Sequence, residues 1–158
     1  MAHLKQTTYI KASPDTLNDI VRDPHRATEY WVGMSGPHRA FGDGGPGTKA
    51  EFTLEMMGRR QRLIMRTVEE RHNPDGSTDW RWEYAGGISG SLACHHEPRE
   101  GDVEATTDFE YTLGGGAFGK LFDRFVVEKR VRRDFEDSLE NLKLLAEASV
   151  ARPVAKAA

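Results

Sequence analysis

Along most of this chain, apolar and polar residues alternate with a period of two; near the end they switch to a helical period. "HLKQTTYIKA" (3–12) alternates and carries Thr7, Thr8, Tyr9 and Ile10, which predicts a first strand. A short helix follows. Ser13 is a good N-cap, Pro14 suits the first helical position and Asp15 favours the first turn, while Leu17, Ile20 and Val21 form one apolar face. Asp23 and Pro24 repeat the cap-then-proline pattern and predict a second short helix in "DPHRATEYW". The glycines and Pro46 of "FGDGGPGTKAEF" mark a turn between strands. "TKAEFTLEMMG" then places Ala50, Phe52, Leu54 and Met56 on one face, and "RRQRLIMRTVEER" continues as a strand of ambiguous register. "NPDGST" predicts a hairpin turn begun by Asn73-Pro74, with Asp75-Gly76 supplying positive-φ positions. "TDWRWEYAGG" puts Trp80, Trp82 and Tyr84 on one face, "ISGSLACHHE" is another strand and "PREGD" another turn. The cleanest alternation is "VEATTDFEYTL", with Val103, Ala105, Thr107, Phe109, Tyr111 and Leu113 on one side.

From about Phe118 to Ser149 the period is helical: Val127, Val131, Phe135, Leu139, Leu142 and Leu145 or Ala146 recur three or four apart. A helix this long needs a broad surface to lie on, and the strands supply it. The predicted order is one strand, two short helices, about six consecutive strands and one long helix. Strands joined by tight turns make an antiparallel meander, and one long helix on its apolar face makes an α+β fold. A curved sheet gripping a single helix tends to leave a cavity, because one helix cannot fill the concave side.

Composition narrows the function. The 158 residues suggest one domain, taken as 1–149, with a frayed tail at 150–158 around Pro153. A net charge of −3 disfavours the whole protein as a nucleic-acid or anionic-membrane magnet. The basic region Lys120, Arg124 and "EKRVRRD" has acids interspersed and no exposed stacking aromatics, so it reads as a solvated helix face rather than a nucleic-acid site. The single Cys94 excludes an intrachain disulfide, and "MAHLKQTTYI" lacks the apolar core of a secretory signal, so a cytoplasmic location is expected. No apolar run approaches a membrane span.

The element order resembles the START-like, helix-grip superfamily (SRPBCC), in its polyketide cyclase/dehydrase branch. "IKASPDTLNDIVRDPHRATEYW" is similar to the family's opening, and "GPGTKAEFTL" to its glycine-rich strand entry. "YTLGGGAFGKLFDRF" and "LENLKLLAE" resemble the glycine-rich start and leucine-rich end of its last helix. The resemblance runs from about Leu4 to Glu147 and implies a curved sheet of about seven antiparallel strands around the C-terminal helix. It does not select a chemistry, because the superfamily includes lipid and hormone binders, aromatase/cyclases and chaperone regulators, so the site must carry that argument.

"TLGGGAFGKLFDRF" (112–125) imitates two nucleotide signatures, G-x-G-x-x-G and G-x-x-x-x-G-K. The phosphate-loop form needs Ser or Thr where Leu121 stands, and both need a parallel strand after the helix, which is here the last element. The glycines read instead as a sharp strand-to-helix turn. Phe118, Phe122, Phe125 and Val126 lie on a different side of the helix from the main stripe. They are expected to line a cavity or its mouth, or else to pack under a loop or in a homodimer. Trp80, Trp82 and Tyr84, with Phe109 and Tyr111 next to them, are expected to divide between core and cavity wall, as are Phe52, Leu54 and Met56.

His95 and His96 point to opposite faces of one strand, so they cannot chelate one metal, and no Cys or carboxylate spacing suggests a metal site. Whichever of them enters the cavity could serve there as an acid or base, though a satisfied or exposed histidine is the commoner outcome. The leading expectation is a binder of a small apolar molecule such as a lipid, polyketide or aromatic, with no cofactor. The alternatives are an aromatase/cyclase-type enzyme, with His96 and Tyr111 as first acid/base candidates, and a protein-interaction module.

Overall fold

The computed structural model describes residues 1–114 and 124–151. Its elements are β1 (Ala2–Ile10), α1 (Pro14–Arg22), a 3-10 helix (Pro24–Glu29), β2 (Met34–Phe41), β3 (Lys49–Met56), β4 (Arg59–His72), β5 (Thr78–Gly86), β6 (Ile88–Arg99), β7 (Asp102–Leu113) and α2 (Arg124–Ala151). Seven strands form one antiparallel sheet in the order β1-β7-β6-β5-β4-β3-β2. β2 to β7 are a meander, while α1 and the 3-10 helix carry the chain from β1 at one edge to β2 at the other. This is the helix-grip α+β arrangement that the element order predicts.

Local chemistry explains the boundaries. The Ser13 hydroxyl accepts from the Thr16 N–H at 3.2 Å, and the Asp23 carboxylate accepts from the His25 N–H at 2.9 Å, so each helix is capped as its sequence implies. Met56 pairs with Arg59 across Met57-Gly58, and both turn residues have positive φ (53° and 76°), the geometry of a type I′ hairpin. In "NPDGST" only Gly76 takes a positive φ, 87°; Asp75 instead uses its carboxylate to accept from the Ser77 N–H and hydroxyl. The ambiguity in β4 comes from a bulge at Val68. Thr67 pairs with Trp82 and Glu69 with Arg81, so the inward face changes phase there. Leu63, Met65 and Thr67 are buried before it, and after it Glu70 turns toward Arg22, whose Nη1 donates to both carboxylate oxygens at 2.8 and 2.9 Å. β2 has no alternating signature because Gly36 and Pro37 interrupt it at the free edge of the sheet, where the register shifts between Ser35 and Arg39.

The apolar stripe of α2 is buried along its length: Val127, Val131, Phe135, Leu139, Leu142 and Ala146 all lie in the core. The outer sheet face is covered by ion pairs between neighbouring strands, among them Arg66–Glu83, Arg71–Asp79 and His95–Asp79. Phe118, Phe122 and Leu121, with most of the glycine run, lie outside the described residues, as do residues 152–158 of the tail. Among the described residues no helix is long and apolar enough to cross a membrane.

Candidate functional site

Between the concave sheet and α2 lies a cavity of about 80 Å³. The sheet contributes Leu54, Met56, Leu63, Tyr84, Ile88, Leu92 and Phe109; α2 contributes Val131, Asp134, Phe135 and Ser138; the segment entering β2 contributes Trp31, Val32 and Met34. Phe109 joins the two layers. Its ring stacks on Phe135 of the helix at 5.8 Å and on Tyr111 of its own strand at 5.1 Å, and meets Tyr84 edge-on at 6.4 Å. A second void of about 20 Å³ shares Trp31, Tyr84 and Leu92 with the first and reaches Tyr30, Cys94 and Thr107.

Three polar side chains stand in this mostly apolar wall. Ser138 is already engaged: its hydroxyl donates to the Asp134 carbonyl at 2.6 Å and accepts from the Val32 N–H at 2.9 Å. This stitches α2 to the segment before β2. Asp134 holds Arg130, whose Nε donates to its two carboxylate oxygens at 2.9 and 3.1 Å. The Tyr84 hydroxyl has no hydrogen-bond partner among the described residues. No sealed-in side-chain nitrogen or oxygen lacks a partner there either, so the Tyr84 oxygen borders space that water or a ligand can enter. Burial pushes its phenol well above the usual tyrosine range, with Tyr30 and Cys94 adding to the effect, so it is a neutral donor. Burial likewise pushes the Cys94 thiol up to about 12, which makes it unreactive as a thiolate.

The expected wall residues divide. Leu54, Met56, Tyr84 and Phe109 line the larger void, and Trp82 and Tyr84 the smaller. Phe52, Trp80 and Tyr111 are buried in the core but line neither void. Of the residues expected from the helix start, Phe125 is 73% exposed and lines neither void, Phe118 and Phe122 lie outside the described residues, and the described part of α2 contributes residues of its main stripe. The acid/base candidates also sit elsewhere. Tyr111 stacks in the core on Phe109. His96 lies at the α1 end of the sheet, where the Asn18 Oδ1 accepts from Trp80 Nε1 at 3.0 Å and faces His96 Nδ1 at 2.9 Å, while Asn18 Nδ2 donates to Thr78 Oγ1 at 3.1 Å. Indole is only a donor, so its partner atom must be the amide oxygen, and His96 must therefore carry its proton on Nδ1. Burial, reinforced by the charge of His95, pulls His96 down to about 4, so it is neutral at pH 7 and structural in this position. His95 is on the outer face, hydrogen-bonded to Asp79 and Glu97.

The periodicity missed Trp31 and Val32, which lie in an aperiodic connection, and Met34, the first residue of the non-alternating β2. Asp134 and Ser138 did leave a signal: they fall on the same helical face as Val131 and Phe135, where polar residues are unexpected.

The family model for polyketide cyclase / dehydrase and lipid transport matches residues 1–147. No curated protein sequence matches the chain. Similar solved structures include human StAR-related lipid transfer protein 5 (TM-score 0.74, 11% identity, covering 94% of this chain and 76% of that one). Another is TTHA0849 from Thermus thermophilus (TM-score 0.72, 19% identity, 94% and 99% covered). A third is the Zhui aromatase/cyclase from Streptomyces sp. R1128 (TM-score 0.68, 17% identity, 99% of both chains covered). At these identities the likeness concerns the fold. The family match over nearly the whole chain, on a seven-stranded sheet closed over one long helix, makes this protein a member of the polyketide cyclase/dehydrase and lipid transport family of START-like proteins.

Proposed function

We propose that the protein binds a small, largely apolar molecule between the sheet and α2, with one polar ligand atom hydrogen-bonded to Tyr84. The observation that carries this reading is an apolar cavity into which an unpartnered, neutral phenol opens. The hydroxyl borders accessible space, and an acceptor atom of a bound ligand gives it the partner that the described residues do not supply. The cavity's volume, about 80 Å³, is well under the roughly 150 Å³ of a cavity that takes up benzene, so a ligand must displace wall side chains on entry. Met34 and Met56 are suited to yield, because an unbranched thioether changes rotamer readily. Native mass spectrometry of protein purified from its own host tests this. The wild type should retain a small molecule that is lost from a cavity-filling Leu92→Phe variant; equal retention by both would refute the reading.

An aromatase/cyclase-type activity is the second reading, favoured by Asp134. Its carboxylate stands on the helix wall and Tyr84 on the sheet wall of the same cavity. A carboxylate can take a proton from a carbon next to a carbonyl while the phenol donates to the carbonyl oxygen. Under this reading Asp134→Asn abolishes turnover of a polyketone but keeps its binding; unimpaired turnover rejects Asp134 as the base.

A further inference from the structure

The part of the cavity wall made by Met34 and Met56 has an outer side. There the same two residues border an open, mainly polar groove of about 470 Å³, flanked by Glu55 and Arg130. Two thioether side chains therefore separate an apolar chamber from a much larger polar vestibule. The acid of the vestibule is taken: Glu55 Oε2 accepts from Arg60 Nε at 3.2 Å. The base is only partly used. Arg130 spends Nε on Asp134, and its Nη groups make no hydrogen bond among the described residues. Its side chain is 45% exposed, against 17% for Asp134, so the unused edge of the fork faces the accessible side.

We propose that the ligand is an amphiphilic carboxylate: its largely apolar body, with the one polar atom that Tyr84 holds, occupies the cavity, its carboxylate rests on the Nη edge of Arg130, and Met34 and Met56 form the neck between them. This deepens the reading of the cavity as a ligand site and rests on it. The guanidinium fork matches a planar carboxylate through two parallel N–H···O bonds. One cation already half neutralised by Asp134 suits a single negative charge better than a multiply charged phosphate. The chamber alone is too small for a whole ligand, and the vestibule gives the remainder a polar place to sit.

Calorimetric titration with decanoate and 1-decanol, at a pH where decanoate is ionised, tests the assignment. Wild type should bind decanoate about tenfold more tightly than decanol, as expected for a charge-assisted pair. Arg130→Gln should erase that preference and leave decanol affinity unchanged. Asp134→Asn removes the competing carboxylate and should strengthen decanoate binding several-fold, an opposite change that loss of packing would not produce. Equal binding of the two probes by wild type overturns this inference alone. So does a preference that survives Arg130→Gln, or decanoate binding that Asp134→Asn fails to strengthen. Binding of neither probe overturns this inference, whereas the cavity reading falls separately, on equal ligand retention by wild type and Leu92→Phe.

Discussion

One identifiable part of this fold's acid sensitivity belongs to His96. In the native state the imidazole is sealed under α1, with Nδ1–H committed to Asn18 and its pKa pulled from 6.5 to about 4 by burial first and His95 second. The unfolded chain binds the proton at the ordinary value, so between those two pH values the unfolded state carries more protons than the native one. Stability from this group is complete above about pH 6.5, falls as pH drops, and is fully lost below about 4. The full span is roughly 3 kcal/mol, and about 2 kcal/mol of it is gone by pH 5. Carboxylates of the unfolded chain take up protons toward the lower end of this range, so the group must be isolated by comparison. His96→Asn keeps an N–H donor near Asn18 and removes the titration. Urea midpoints of both proteins, measured from pH 7 to pH 4, should converge by about 2 kcal/mol on reaching pH 5, from an offset set by the smaller side chain. The tautomer is a second readout: NMR should find the proton on Nδ1. Parallel stability curves, or a native imidazole titrating near 6.5, would refute the reasoning.

Two further outcomes follow from the backbone. A Cβ at Gly90 would lie 1.9 Å from the Glu110 carbonyl oxygen and 2.8 Å from the Tyr111 Cα, atoms that belong to the neighbouring strand and cannot rotate away. Gly90→Ala should cost at least about 2 kcal/mol by denaturant unfolding, and a neutral result would contradict the packing of β6 on β7 described above. At the β3–β4 hairpin, Met57 holds a left-handed φ of 53° that asparagine adopts more easily. Met57→Asn should raise stability by about 0.5–1 kcal/mol in the same assay, and a loss would show that the Met57 side chain contributes more than its backbone costs.

Much of this architecture is legible along the chain. The caps at Ser13 and Asp23, the alternation in β7 and the stripe from Val127 to Ala146 are set by neighbours within a few positions, and the structure realises each of them. The register of β4 was not legible, because the bulge at Val68 inverts the inward face midway and averages two opposite patterns. The division of the site was not legible for a different reason. Trp80 and Tyr84 have the same parity on one strand, yet Trp80 meets Asn18 of α1 and Tyr84 meets the cavity.

Sequence by itself determined which residues of β3, β5, β7 and the main stripe of α2 face inward, because that depends on the two- and 3.6-residue periods of the backbone. It also determined the fold class, because six strands in a row followed by one long helix leave few ways to bury both apolar faces. Only the tertiary structure decided which inward residues are packed and which border empty space. That depends on where α2 crosses the sheet, and a crossing brings together residues far apart in the chain, such as Met34, Tyr84 and Asp134. For the same reason His96 became a neutral hydrogen-bonding core residue, while Asp134, on the apolar stripe, came to stand in the cavity wall.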